Sequence, residues 1–383
     1  MPHRIPFNRP CFAGKEQEYV AEAIERGQIS GNGHFTRLCE QLLAEALGVP
    51  RVMLTTSCTD ALEMAALLLE LSPGDEVILP SFTFVSTANA FVLHGGRPVF
   101  VDIRPDTLNI DEALIEAKIS ERTRAIVPVH YGGVACEMDE IGALAREHGI
   151  RIIEDNAHGL FARYRGRPLG SFGDLATQSF HETKNFTCGE GGALVIGDAA
   201  LNERAEILRD KGTNRGRFSR GQVDKYTWVD LGSSFLPSDL LAAFLYAQLV
   251  ERERIQHTRR NIWQRYADGL CEWARENDVR LPYVPPECEQ SYHLFYLILP
   301  SQADRDALIA HLEAKGIMAV SHYEPLHSSS MGRRFTRAGG ACPVTEDVSK
   351  RLLRLAFYND LSVADQERTI AETLAFRPRH ARR

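Results

Sequence analysis

Between residues 51 and 196 the chain alternates between two kinds of segment, and that alternation narrows the folds open to it. Short β-rich runs (RVML, EVILP, PVFVD, RAIVPVH and RIIEDNA) are separated by helical stretches such as ALEMAALLLEL, IDEALIEAKI and EIGALAREHG. Strands that alternate with helices build a mostly parallel sheet covered on both faces, an α/β layered fold. Asp111 and Glu137 stand where helices should start, and the apolar run GALVIG after Gly189 adds a further strand. Residues 239–275 read as one long helix, with apolar positions at 3.6 spacing through much of it. Beyond it the pattern predicts a smaller α/β unit. This comprises a strand in SYHLFYLILP, a helix in DRDALIAHLEAKG, a short strand in IMAVSHY, and two closing helices. The expected organisation is a large domain over residues 1–250 and a small C-terminal α/β domain over 251–383.

Charge and cysteine usage restrict the partners. Lys and Arg number 44 against 51 Asp and Glu, a net −7, and no basic run is dense enough to track a phosphate backbone. Nucleic acid is therefore excluded as the expected partner. The richest basic cluster, Arg209 to Arg220, is interrupted by Asp210, glycines and serines, and reads equally as an anion-binding loop or a solvated one. Eight scattered cysteines include no C-x-x-C pair and no zinc spacing, so a metal site is not expected and the thiols read as reduced. MPHRIPFNRP has no apolar leader, and ALEMAALLLEL carries two glutamates and is too short for a bilayer. The expectation is a cytoplasmic chain with no membrane partner.

The chemistry lies in QSFHETKNFTCGEGG, which sets Lys184 among polar and aromatic neighbours ahead of a glycine-rich turn. In a parallel sheet, ligands bind outside the carboxyl ends of the strands. RIIEDNAH ends such a strand with Asp155 and His158, and DLATQSF ends another with Ser179. Alone, Asp155 reads as readily as a turn cap. Paired with Lys184, it fits pyridoxal 5′-phosphate, whose aldehyde needs an amine and whose pyridine nitrogen needs a carboxylate to stay protonated. The phosphate needs donors, and Ser57-Cys58-Thr59 opens a helix directly after a strand. That feature alone would be an N-cap. Phe82 and Phe84 offer a stacking surface, though a lone aromatic after a strand usually belongs to the core. No dinucleotide or P-loop fingerprint, zinc-protease helix or nucleophile elbow is present.

With TSCTDAL, PSFTFVSTANA, IIEDNAH, SFHETKN and GEGG in that order, the chain resembles the DegT/DnrJ/EryC1/StrS sugar-nucleotide aminotransferases over nearly its whole length. The resemblance implies a fold type I aminotransferase with pyridoxal phosphate, passing through pyridoxamine phosphate. It makes Lys184 the Schiff-base lysine and Asp155 the pyridinium partner, places His158 beside the phenolic oxygen and stacks Phe84 on the ring. Ser57, Cys58 and Ser179 would hold the phosphate. Where many members carry G-Y-N-Y-R, this chain has GSSFL, with Ser234 in the place of an asparagine that reaches the neighbouring subunit's phosphate.

The run KGTNRGRFSRGQVDKYTWVDLGSS is most similar to the branch that aminates dTDP-4-keto-6-deoxyglucose with L-glutamate for enterobacterial common antigen, a lipopolysaccharide-type pathway. The implied substrate contacts are Arg220, Lys225, Tyr226, His322 and Tyr323. A homodimer with shared active sites is implied by resemblance alone.

Overall fold

The computed structural model describes residues 4–335 and 340–379. Its thirteen strands are β1 (Arg51–Thr55), β2 (Glu76–Pro80), β3 (Arg97–Val101), β4 (Thr123–Ile126), β5 (Arg151–Asp155), β6 (Arg163–Tyr164), β7 (Arg167–Pro168), β8 (Leu175–Ser179), β9 (Gly192–Ile196), β10 (Cys288–Glu289), β11 (Tyr296–Ile298), β12 (Val320–Ser321) and β13 (Leu352–Arg354). Seven of them form the main sheet in the order β1-β9-β8-β5-β4-β2-β3. Only β9 runs against its neighbours, β1 and β8. The fold is the mostly parallel, mixed α/β sheet expected from the alternating pattern.

Strand residues divide by parity between two helical layers, as a two-residue side-chain period requires. Met53, Val77, Leu79, Ala125 and Leu194 pack against the helix Cys58–Leu68 through Ala61, Met64 and Ala65. Val52, Leu54, Ala193 and Val195 face the opposite layer, where the helices His34–Leu47 and Asp239–Val250 supply Leu43, Ala242 and Leu249. The two helices of that second layer are tied together by the buried Asp239. It accepts hydrogen bonds from the Phe35 and Thr36 amides and the Thr36 hydroxyl at 3.2, 2.8 and 2.7 Å.

A second sheet, β11-β13-β12, has a core of its own built from Phe295, Leu297, Leu353 and Leu355 with Tyr266 and Leu270. A third small sheet, β10-β6-β7, closes over the Ala162–Leu169 corner.

Two local expectations are corrected. IDEALIEAKI forms two 3-10 turns, Glu112–Leu114 and Glu116–Lys118, in place of an amphipathic helix. The buried Asn109 ties this segment to the carbonyls of Val134 and Ala135, and Ile110 pairs with Ile103. The stretch 239–275 is two helices, Asp239–Val250 and Arg252–Glu276, broken at Glu251. The first is buried between sheet and helices, whereas the second turns Ile262, Tyr266 and Leu270 toward the other core. The basic stretch after Arg209 also contains a short helix, Arg215–Ser219. Among the described residues no helix is long and apolar enough to cross a membrane.

Candidate active site

At the carboxyl edge of the main sheet, next to the second sheet, lies a cavity of about 630 Å³. Asp155 is the last residue of β5 and is buried. One of its carboxylate oxygens accepts the Thr87 hydroxyl at 2.7 Å, and the other accepts the Ala157 amide at 3.2 Å. The turn-capping role is thus real and uses one oxygen, while the carboxyl group still lines the cavity. Both bonds come from neutral donors, and no ion pair to Asp155 forms among the described residues. A buried carboxylate in that condition suits a cation held in the cavity.

Lys184 stands in the turn between β8 and β9, where the Glu182 amide donates to the Gly189 carbonyl and the Phe180 amide to the Gly191 carbonyl, each at 2.8 Å. Burial depresses its ammonium pKa to about 8, against an opposing pull from the Asp155 carboxylate. A lysine so placed has a substantial neutral fraction near pH 8 and can act as nucleophile or base. Since the pKa is lowered, the reactive amine appears as pH rises through about 8. The rate at which the cofactor-free protein captures an aldehyde at Lys184 is therefore expected to climb across that range and level off above it. A climb delayed until pH 10 or higher would show an ordinary solvated lysine.

Ser57 caps the helix Cys58–Leu68 by accepting the Asp60 amide at 3.0 Å, and the first turn of that helix opens on the cavity. Cys58 remains a thiol, because burial raises its pKa to about 12. Gly192 fits directly against this turn, where a Cβ would collide with the backbone of Ser57 and Cys58. Ser179 and Phe84 also line the cavity, and Phe84 is 57% exposed. Phe82 instead lies in the core beside Tyr131 and Tyr323.

The histidines are fixed in tautomer as well as place. His158 accepts the Gly132 amide at Nδ1, 3.3 Å away, leaving its proton on Nε2. His293 stacks on it at 4.1 Å and donates from Nδ1 to the Asn185 side-chain oxygen at 2.8 Å. The Asn185 amide is oriented by its other bond, to the Ser291 carbonyl at 2.7 Å. Burial holds His158, His293 and His322 well below the usual imidazole range, so all three are neutral. Carboxylate, helix N-terminus, exposed ring and amine together fit pyridoxal phosphate: a cation site, a phosphate cup, a stacking face and a nucleophile on one cavity.

The profile of the DegT/DnrJ/EryC1/StrS aminotransferase family matches residues 10–374. The chain belongs to the DegT/DnrJ/EryC1/StrS aminotransferase family. Solved structures agree. The aminotransferase TlmJ from Streptoalloteichus hindustanus is 32% identical with a TM-score of 0.89, over 97% of this chain and 98% of that one. DesV of S. venezuelae is 30% identical with a TM-score of 0.87, over 97% and 98%. A Streptococcus pneumoniae protein described as a sugar aminotransferase is 26% identical in its PMP form, with a TM-score of 0.90 over 97% and 98%. The same protein has also been solved in a PLP form. The present chain is a sugar aminotransferase that uses pyridoxal phosphate, with pyridoxamine phosphate as its intermediate form.

In this aminotransferase the cavity gathers Ser57, Cys58, Phe84, Asp155, His158, Ser179, Lys184, His322 and Tyr323. It does not gather Ser234, Arg220, Lys225 or Tyr226. Ser234 is exposed and pairs with Asp210, while Tyr226 rests on Phe218. Arg220 gives both arms of its guanidinium to Glu206, at 2.7 and 3.1 Å. Sequence reasoning missed Thr87, His293, Asn8 and Arg354, all of which line the cavity. Thr87 was within reach of analysis, lying one helical turn beyond Phe84 in a segment already singled out.

Proposed function

We propose that the chain transfers the amino group of L-glutamate to the 4-keto carbon of dTDP-4-keto-6-deoxyglucose, giving dTDP-4-amino-4,6-dideoxygalactose and 2-oxoglutarate. The observation that carries the transamination is the Lys184 amine and the Asp155 carboxylate facing one cavity. Bound pyridoxal phosphate supplies an electron sink through which an amino group and a proton can leave one carbon and return to another.

The chain's own residues do the rest. Asp155, held by Thr87, keeps the ring nitrogen protonated. His158, with its proton on Nε2, would offer a hydrogen bond to the phenolic oxygen, and Phe84 would supply the stacking face for the ring. The Ser57–Cys58 turn and Ser179 hold the phosphate. With the cofactor bound, the Lys184 amine would take the proton from the donor's α-carbon in the first half-reaction and deliver one to the sugar's carbon in the second. Positioned proton transfer of this kind contributes about 10²–10⁴-fold.

The choice of sugar rests on the resemblance of the run KGTNRGRFSRGQVDKYTW. Its cations Arg215, Arg217, Arg220 and Lys225 stand on the surface, beside exposed Trp228 (77%) and Leu231 (61%). In a homodimer this segment and Ser234 would complete the partner's cavity, with His322 and Tyr323 as the sugar-side wall within the chain's own cavity. The test is NMR of the product after incubation with dTDP-4-keto-6-deoxyglucose and glutamate. A galacto amine shows a small H3–H4 coupling; a large one, or amination at C3, would move the chain to a sibling reaction. An absence of any amino-sugar product with the family's keto-sugars would leave a cofactor-binding protein without turnover.

A further inference from the structure

Arg354 is the last residue of β13, the central strand of the second sheet, where it pairs with Tyr296 on one side and Val320 on the other. Its side chain reaches the cavity of Lys184 and Asp155. The guanidinium lies over the Phe7 ring, 4.6 Å from its centroid. Its Nε is buried with no hydrogen-bond partner. Among the described residues no Asp or Glu pairs with it, and the groups that act on it are the phenols of Tyr131 and Tyr323. Burial lowers its pKa, but an arginine starts so high that it stays charged. The active cavity therefore contains a fixed cation with its fork uncommitted, an arrangement that costs stability unless an anion arrives to answer it.

Under the proposed function four anionic groups enter this cavity during turnover, and their chemistry separates them. The cofactor's phosphate has its own cup at the Ser57–Cys58 turn, on the main sheet. The sugar nucleotide's diphosphate is separated from the reacting ring carbon by the sugar itself. L-Glutamate carries its α-carboxylate one bond from the carbon at which Lys184 must work, and its γ-carboxylate three bonds from it. A planar, two-pronged cation in the same cavity as Lys184 matches a carboxylate in both shape and charge.

We infer that Arg354 is the docking cation for the α-carboxylate of the amino donor, which selects α-amino acids over simple amines in the first half-reaction. This rests on the cavity being the aminotransferase site proposed above. The neutral state of His158, His293 and His322 sharpens the selection, since Arg354 is left as the cavity's uncommitted permanent cation among the described residues.

The test uses cofactor-loaded wild type, Arg354→Gln and Arg354→Lys. Glutarate, which has no amine and cannot react, probes carboxylate binding by calorimetry, and stopped-flow absorbance follows the glutamate half-reaction. Arg354→Gln is expected to weaken glutarate and raise the glutamate concentration for half-maximal rate by roughly ten- to a hundredfold. Arg354→Lys should recover part of both. Cofactor absorbance and the affinity for dTDP should be unchanged. Unaltered glutarate binding in Arg354→Gln would overturn the inference and leave the transaminase reading intact. Weakened dTDP with intact glutarate would also overturn it, by assigning the cation to the nucleotide. If wild type itself shows no absorbance change with any amino acid, the transaminase reading fails and takes this inference with it.

Discussion

Lys184→Ala is expected to abolish turnover, with the loss of the positioned base alone removing about 10²–10⁴-fold. The cofactor should still enter, because Asp155, the Ser57–Cys58 turn and Phe84 are untouched, but it can no longer be joined covalently to the chain. Borohydride treatment followed by mass spectrometry reads this directly. Wild type should gain the mass of the reduced cofactor on the peptide containing residue 184, and the variant should gain none. The substitution should cost little stability, since a side chain whose ammonium is pushed down to about 8 by burial is not a strong contributor to folding at neutral pH. An alanine variant that turns over at the wild-type rate would sink the assignment.

Asp155→Asn separates the two uses of that side chain. The amide can keep accepting from the Ala157 amide nitrogen, and the Thr87 hydroxyl can reverse its bond. Stability should therefore change by less than about 1 kcal/mol, the net scale of one hydrogen bond. Activity should fall by about 10²–10³-fold, the scale of deleting one preorganised electrostatic contact, because a neutral amide cannot hold a pyridine nitrogen protonated. The pair of measurements is melting temperature and glutamate half-reaction rate. A large drop in melting temperature with a normal rate would make Asp155 a turn cap alone.

What could be read from the sequence was whatever the main sheet writes locally. Asp155, Ser179 and Ser57 each close or follow a strand, and the strand pattern is strong because β2 and β9 are buried along their whole lengths. Lys184 was legible from its turn. Arg354 was not: in RLLRLAF it reads as a stray charge in a short apolar run, and its meaning appears only when the second sheet packs beside β5 and brings it to the cavity. His293 is similar, since its role depends on Asn185, contributed by the turn after β8.

The 109–119 segment misled for a different reason. Its helical periodicity is real, but the long-range bonds of Asn109 outweigh it. The loop cations Arg220 and Lys225 are a third case. Their expected contact is with a substrate, yet they do not line the cavity, and Arg220 is held by Glu206 instead.

The close seat of Gly192 on the Ser57–Cys58 backbone has an evolutionary consequence. The strand that follows the Lys184 turn and the Ser57–Cys58 turn that opens on the cavity come from distant stretches of the gene, yet they touch at a point with no room for one methyl group. Neither can drift alone. A descendant that placed a side chain at position 192 would have to rebuild the opening of the Cys58–Leu68 helix in the same step. The two turns that line the cavity are therefore inherited as a unit.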